Sequence, residues 1–84
     1  MVIYYSKQAQ KYLRKMPKGR AEAIMFAISE IAKNKDSYTG DLIKMTNSSY
    51  FRLRVGGYRA IIDINDRELR LLVLKIGARG DVYK

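Results

Sequence analysis

The chain is predicted to fold as an α+β domain: an antiparallel-rich sheet, made of a short N-terminal strand plus a C-terminal three-strand meander, with two N-terminal helices packed on one face. Three observations predict this. Apolar residues recur at helical spacing over residues 7–16 and again over 18–34. Strict alternation runs from Tyr50 to Val55, with Phe51, Leu53 and Val55 pointing one way and Tyr50, Arg52 and Arg54 the other. Gly56-Gly57 then supplies a two-residue hairpin turn, whose central positions favour positive φ.

Taken in order, Val2-Ile3-Tyr4-Tyr5 is a run of β-branched and aromatic residues and reads as the first strand. Ser6 fits the N-cap of a helix reaching about Met16, because its hydroxyl can accept from an otherwise unpaired N–H of the first turn. Along that helix Ala9, Tyr12, Leu13 and Met16 form one stripe, and Lys7, Lys11, Arg14, Lys15 and Lys18 the other. The basic stripe is either a solvated face or a wall that guides a polyanion. Pro17 ends this helix and suits the first turn of the next, where its missing N–H is not needed. Ile24, Ala27, Ile28 and Ile31 give the second helix one buried stripe, while Phe26 falls on its outer side. Residues 34–49, with Asp36-Ser37, Gly40-Asp41 and Asn47-Ser48-Ser49, carry turn chemistry and read as a loop tacked to the core by Leu42, Ile43 and Met45.

The two-residue turn sets the pairing of the hairpin. Val55 faces Tyr58, Arg54 faces Arg59, Leu53 faces Ala60 and Arg52 faces Ile61. Three arginines thereby share one face, with two of them opposite each other at roughly 5 Å between Cβ atoms, a spacing at which like charges destabilise a sheet. No acid lies between Tyr50 and Ile62 to relieve them. An anion is expected to sit there. Residues 58–64 and 69–76 follow as strands joined by a turn at Asp66-Arg67. Continuing the alternation puts Phe51, Leu53, Val55, Ala60, Ile62, Ile64, Leu69, Leu71 and Val73 under the helices. Arg52, Arg54, Arg59, Ile61, Asp63, Arg70, Leu72 and Leu74 fall on the open face, with Asp63 opposite Arg70. Gly77 is expected to end the last strand, before a short tail with Arg79, Asp81 and Tyr83.

Composition narrows the chemistry. At 84 residues the chain makes one domain, 1–84, burying roughly 60–65% of the surface it would expose unfolded. No run approaches the ~18 apolar residues of a bilayer span, and no signal-peptide pattern is present, so a cytoplasmic protein without membrane association is expected. With neither cysteine nor histidine, the usual metal ligands and the commonest general base are missing, and no cofactor or metal is expected. A net charge of +9 directs attention to nucleic acid, an anionic surface or an acidic protein.

The element order, the segment Phe51-Arg52-Leu53-Arg54-Val55-Gly56-Gly57-Tyr58-Arg59 and the tail Gly77-Ala78-Arg79-Gly80-Asp81-Val82-Tyr83 closely resemble the RelE/ParE toxin superfamily over nearly the whole chain. For a RelE-type member the resemblance implies an endoribonuclease that cuts mRNA in the ribosomal A site. It also implies a cognate acidic antitoxin that neutralises the toxin in a hetero-oligomer. Carried over by position, the family's basic residues fall on Arg52, Arg54, Arg59 and Arg79, and its terminal tyrosine on Tyr83. Arg52 stands where the ribosome-dependent prototype has a lysine, and Ala78 where many relatives have a histidine.

The chemistry itself asks for the same residue types. Cutting RNA with its own 2′-OH requires in-line positioning, stabilisation of phosphate charge, and two proton movements. Arginine forks supply positioning and charge but do not act as bases. Proton handling is left to Tyr83, Asp81 or Lys75; a tyrosine starts near pKa ~10 and neighbouring cations favour its ionised form. Tyr83 is equally suited to stacking on a base or closing the core. Arg52, Arg54, Arg59, Arg79 and Tyr83 are the candidate catalytic residues, and Lys7, Lys11, Arg14, Lys15 and Lys75 the candidate substrate-binding ones. The alternatives are a ParE-like gyrase inhibitor without chemistry of its own, and an RNA-binding module or inactive relic.

Overall fold

The computed structural model describes residues 1–78; Arg79, Asp81 and Tyr83 lie outside the described residues. Its elements are β1 (Val2–Tyr5), α1 (Lys7–Lys15), α2 (Lys18–Lys33), a 3₁₀ turn (Lys35–Ser37), β2 (Asp41–Lys44), β3 (Tyr50–Val55), β4 (Tyr58–Asn65) and β5 (Arg70–Ala78). The strands form one sheet in the order β1-β5-β4-β3-β2, antiparallel except for the β1–β5 pair. The expected α+β architecture is present, with one strand more than the sequence suggested. Among the described residues no helix is long and apolar enough to cross a membrane.

The core lies between the helices and one face of the sheet. Ala9 of α1 and Ile24, Ile28 and Ile31 of α2 meet Leu53, Ala60, Ile62, Leu71, Val73 and Ile76 of the sheet, all buried. Each large aliphatic in this layer contributes about 1.5–3 kcal/mol by leaving water. Ser6 caps α1 by accepting from the Ala9 N–H at 3.1 Å, while its own hydroxyl donates to the Leu74 carbonyl at 2.7 Å. Two residues on, the Gln8 amide donates to the Ile76 carbonyl at 2.8 Å and accepts the Ile76 N–H at 2.9 Å. Ser6 and Gln8 thus continue along β5 the hydrogen bonding that β1 supplies only as far as Val73. Pro17 is the N-cap of α2 rather than its first helical residue.

The β3–β4 hairpin has the register that the two-residue turn predicts, from Val55–Tyr58 to Arg52–Ile61. Gly56 has φ +59°, but Gly57 lies outside the left-handed region, which is the II′ pattern rather than one with both positions positive. The β4–β5 hairpin differs from expectation. Its turn covers four residues, 66–69, so Asp63 faces Leu72, and Arg70 faces Asn65 and pairs with Glu68 at 2.8 Å. Leu69, expected inside, sits in that turn at φ +52° and is 61% exposed.

Further along, the register shifts between Ile61, opposite Lys75, and Ile62, opposite Val73, leaving Leu74 as the extra residue of a bulge. Unbroken alternation would have turned Lys75 inward with Leu71 and Val73. The bulge instead puts Ile76 in the core and Lys75 across from Ile61, on the face bearing Arg52. The strand then runs through Gly77 to Ala78 instead of ending at the glycine.

Residues 41–44, expected as loop, form the edge strand β2, with Asp41 opposite Arg54 and Ile43 opposite Arg52. Four residues next to turn chemistry carry too little pattern to read as a strand alone; pairing with β3 makes them one. Of the three residues expected to tack this segment down, Leu42 packs on the core and Ile43 is exposed.

Candidate functional site

Alternation fixes which side chains share the open face. Leu53, Ala60 and Ile76 form one cross-strand row and are buried, so Arg52, Arg54 and Arg59 project to the other side. Neighbouring rows there read Asp41–Arg54–Arg59–Gly77 and Ile43–Arg52–Ile61–Lys75. Ile61 is buried although it lies outside the core cluster, sheltered among this row. Across the β4–β5 pair Arg59 faces Gly77, a residue with no side chain. At the turn end Arg54, Gly56, Gly57, Tyr58 and Arg59 line a cavity of about 130 Å³. The Tyr58 ring packs against the core side and meets Tyr12 of α1 edge-on, centroids 6.3 Å apart.

The internal anion was not legible in the sequence. Asp41 reaches across from β2 and places Oδ1 3.2 Å from Arg52 Nη2 and Oδ2 3.5 Å from Arg54 Nη1. The expectation that the hairpin arginines lack an acid is therefore corrected: the acid comes from the adjacent strand, because the sheet continues past β3. The two arginines are held differently. Arg52 is 18% exposed, with a buried Nε that has no hydrogen-bond partner among the described residues, whereas Arg54 is 41% exposed at the cavity. Asp41 is positioned in turn by Gly40, over which the Tyr38 ring lies so closely that a Cβ would collide with it. Burial holds the Tyr38 phenol above its ordinary pKa, and the Asp41 charge acts in the same direction.

One basic residue also escaped the sequence reading. Arg20, in the first turn of α2, lies over the hairpin turn, its Nη1 2.8 Å from where a Gly56 Cβ would stand. The acid-free run from Lys7 to Arg20 is the one sequence signal that includes it. The remaining candidates divide between two surfaces. Lys75 joins Arg52 and Ile61 on the open face. Lys7, Lys11 and Arg14 line a shallow groove of about 230 Å³ with Gln10 on the helical layer, and Lys15 lines another with Tyr12, Met16, Pro17 and Tyr58. Tyr58 borders both the Lys15 groove and the arginine cavity. Chemically, the open face offers planar, permanently charged donors suited to a phosphodiester.

Solved structures share this architecture. The chain is similar to the toxin of an archaeal RelE–RelB complex from Pyrococcus horikoshii OT3, with 24% identity and a TM-score of 0.81 over 95% of this chain and 96% of that one. It is similar to the toxin of a RelB–RelE complex from Methanococcus jannaschii at 25% identity and TM-score 0.71, covering 95% and 94% of the two chains. The intact E. coli RelBE complex gives 19% identity and TM-score 0.72, with 90% and 93% covered. No curated protein matches the sequence. Residues 3–83, nearly the full length, match the model of the ParE toxin of the type II toxin–antitoxin system parDE, and with the five-strand sheet and its two-helix cover this shows that the chain belongs to the RelE/ParE superfamily of type II toxins.

Proposed function

We propose that this toxin is an endoribonuclease, an mRNA interferase that cuts ribosome-bound mRNA in the cytoplasm without a metal. The observation that supports it most is the grouping of Arg52, Arg54 and Arg59 on one face of the sheet, with Arg54 opposite Arg59 at the rim of a small cavity whose donors suit a phosphate. In the reaction the 2′-oxygen attacks phosphorus and loses its proton, the P–O5′ bond breaks, and the 5′-oxygen takes up a proton, leaving a 2′,3′-cyclic phosphate and a 5′-hydroxyl. Arg54 and Arg59 clamp the phosphate, while Arg52 and Arg79 position the backbone and steady developing charge. Tyr83 carries a proton or supports a base. Lys75, with Lys7, Lys11, Arg14 and Lys15, attracts the backbone on either side. Electrostatic stabilisation of this kind is worth about 10²–10³ in rate per donor. The ribosome supplies the in-line geometry, so free RNA is cut poorly.

The partner that restrains it is a cognate antitoxin with an acidic segment, forming a hetero-oligomer. The net charge of +9 favours that complement, and the three solved relatives described above are themselves complexes with RelB. Primer extension on mRNA from translating ribosomes tests the activity: discrete cleavage with the wild type, absent with Arg54→Ala, supports it. The matched family model favours one other reading, a ParE-like inhibitor of DNA gyrase. Intact mRNA together with blocked supercoiling by purified gyrase would establish that reading instead.

A further inference from the structure

The carboxylate of Asp41 reaches from β2 to the guanidinium groups of the hairpin arginines Arg52 and Arg54. It bridges two guanidinium groups through its two oxygens, but the two contacts are unequal. Arg52 is the closer partner at 3.2 Å and is largely buried, whereas Arg54 lies 3.5 Å away, is more exposed and lines the cavity. A largely buried guanidinium without a counter-charge is unfavourable, so Arg52 has the stronger hold on the acid. Arg54 loses little by leaving, because an ion pair that is partly exposed is weakened by the surrounding water.

We propose that Asp41 is a built-in competitor for the phosphate site: it stays with Arg52, yields Arg54 to an incoming phosphodiester, and so lowers affinity for free polyanion. Asp41 is a positioning residue here, acting through the arginines. The proposal rests on the reading of the arginine face as an RNA phosphate site, but it concerns binding rather than cleavage. In the free protein Asp41 already offsets charge on this face, so the face presents less net positive charge to RNA, which then gives up fewer of its condensed counterions. For single strands each phosphate neutralised contributes about −0.7 to the slope of log K against log salt.

The test uses the purified full chain and a 2′-O-methyl RNA hexanucleotide, which cannot be cut by 2′-OH attack. Affinity is measured between ~50 and ~300 mM salt for the wild type, Asp41→Asn and Asp41→Glu, with thermal melts to check folding. Asp41→Asn keeps the shape and removes the charge. It should tighten binding roughly 3- to 10-fold at the lowest salt and steepen the slope by about 0.7, the contribution of one further neutralised phosphate. Asp41→Glu, which retains the charge, should keep the wild-type slope. Equal affinity and slope in wild type and Asp41→Asn would overturn the proposal. Weaker binding by Asp41→Asn would also overturn it, by making the carboxylate an aid to arginine orientation. If the oligonucleotide binds to neither protein, titration with inorganic phosphate, followed through the Arg54 Nε–Hε NMR signal, decides: a larger response in Asp41→Asn supports competition, and an equal or absent one overturns it. Loss of mRNA cleavage with these binding differences intact would count against the ribonuclease reading alone.

Discussion

The two faces of the sheet are built from alternate residues of the same strands, yet they differ in what makes them necessary. Under the helices, Leu53, Ala60, Ile62, Leu71 and Val73 are buried among apolar neighbours. On the other side Arg52, Arg54, Arg59 and Lys75 share the open face, where Asp41 of β2 pairs with Arg52 and Arg54. The first face stabilises the fold and the second puts like charges together at some cost to it. Apolar or mixed-charge residues would pair there with less repulsion, and the proposed phosphate site gives the arginines a reason to be there. Stability and activity should therefore separate cleanly by residue parity along β3 and β4.

The largest expected effect tests the covered face. Leu71→Ala removes a fully buried side chain at the sheet centre and should cost about 2–5 kcal/mol, read as a lowered midpoint in denaturant unfolding. A cost below ~1 kcal/mol would mean that the helical layer collapses freely onto the sheet. Arg59→Ala tests the open face. Cleavage should fall by about 10²–10³, while stability stays level or rises slightly with one like-charge neighbour gone. Loss of folding by Arg59→Ala would make the arginine pair structural and erase the contrast between faces.

A smaller effect belongs to the boundary between the layers. Gln8→Leu removes both side-chain bonds to Ile76, beside the bulge, and should cost about 1–2 kcal/mol. Faster hydrogen exchange at the Ile76 amide than at the Leu53 amide would localise the loss to β5. Smallest of all, Leu69→Gly should raise stability by about 0.5–1 kcal/mol, because φ +52° disfavours a side chain that is in any case exposed. An unchanged or lowered melting temperature would mean that Leu69 makes apolar contacts worth more than its backbone strain.

The contrast between faces also explains what the sequence made legible. The β3–β4 hairpin was readable because two glycines leave one register, and that register alone opposes Arg54 to Arg59. Residues 66–69 offered no such constraint, and Leu71-Leu72-Val73-Leu74 is apolar in either phase, so neither the longer turn nor the bulge left a trace in the pattern. Leu69 was assigned inward on hydrophobicity, which carries no information about φ. Asp41 was the costliest omission. Its meaning depends on pairing between β2 and β3, and an edge strand of four residues takes its identity from its neighbour more than from its own residues. Arg52 and Arg54 were visible as a charge problem; the acid that partly answers it was visible only as a turn residue.

The bulge at Leu74 gives β5 two reading frames. Before it, odd-numbered positions such as Leu71 and Val73 must be apolar; after it, the rule passes to the even-numbered Ile76 and frees position 75 for a cation. Substitutions tolerated in one half of the strand will be rejected at the same parity in the other. Removing the single residue Leu74 would delete the bulge and leave an unbroken alternation in which Val73 and Ile76 still face the core and Lys75 still faces outward. Removing Leu74 and Lys75 together would instead turn Ile76 outward and delete the cation from the open face. Length, rather than composition, decides at this point which side of the sheet a residue serves.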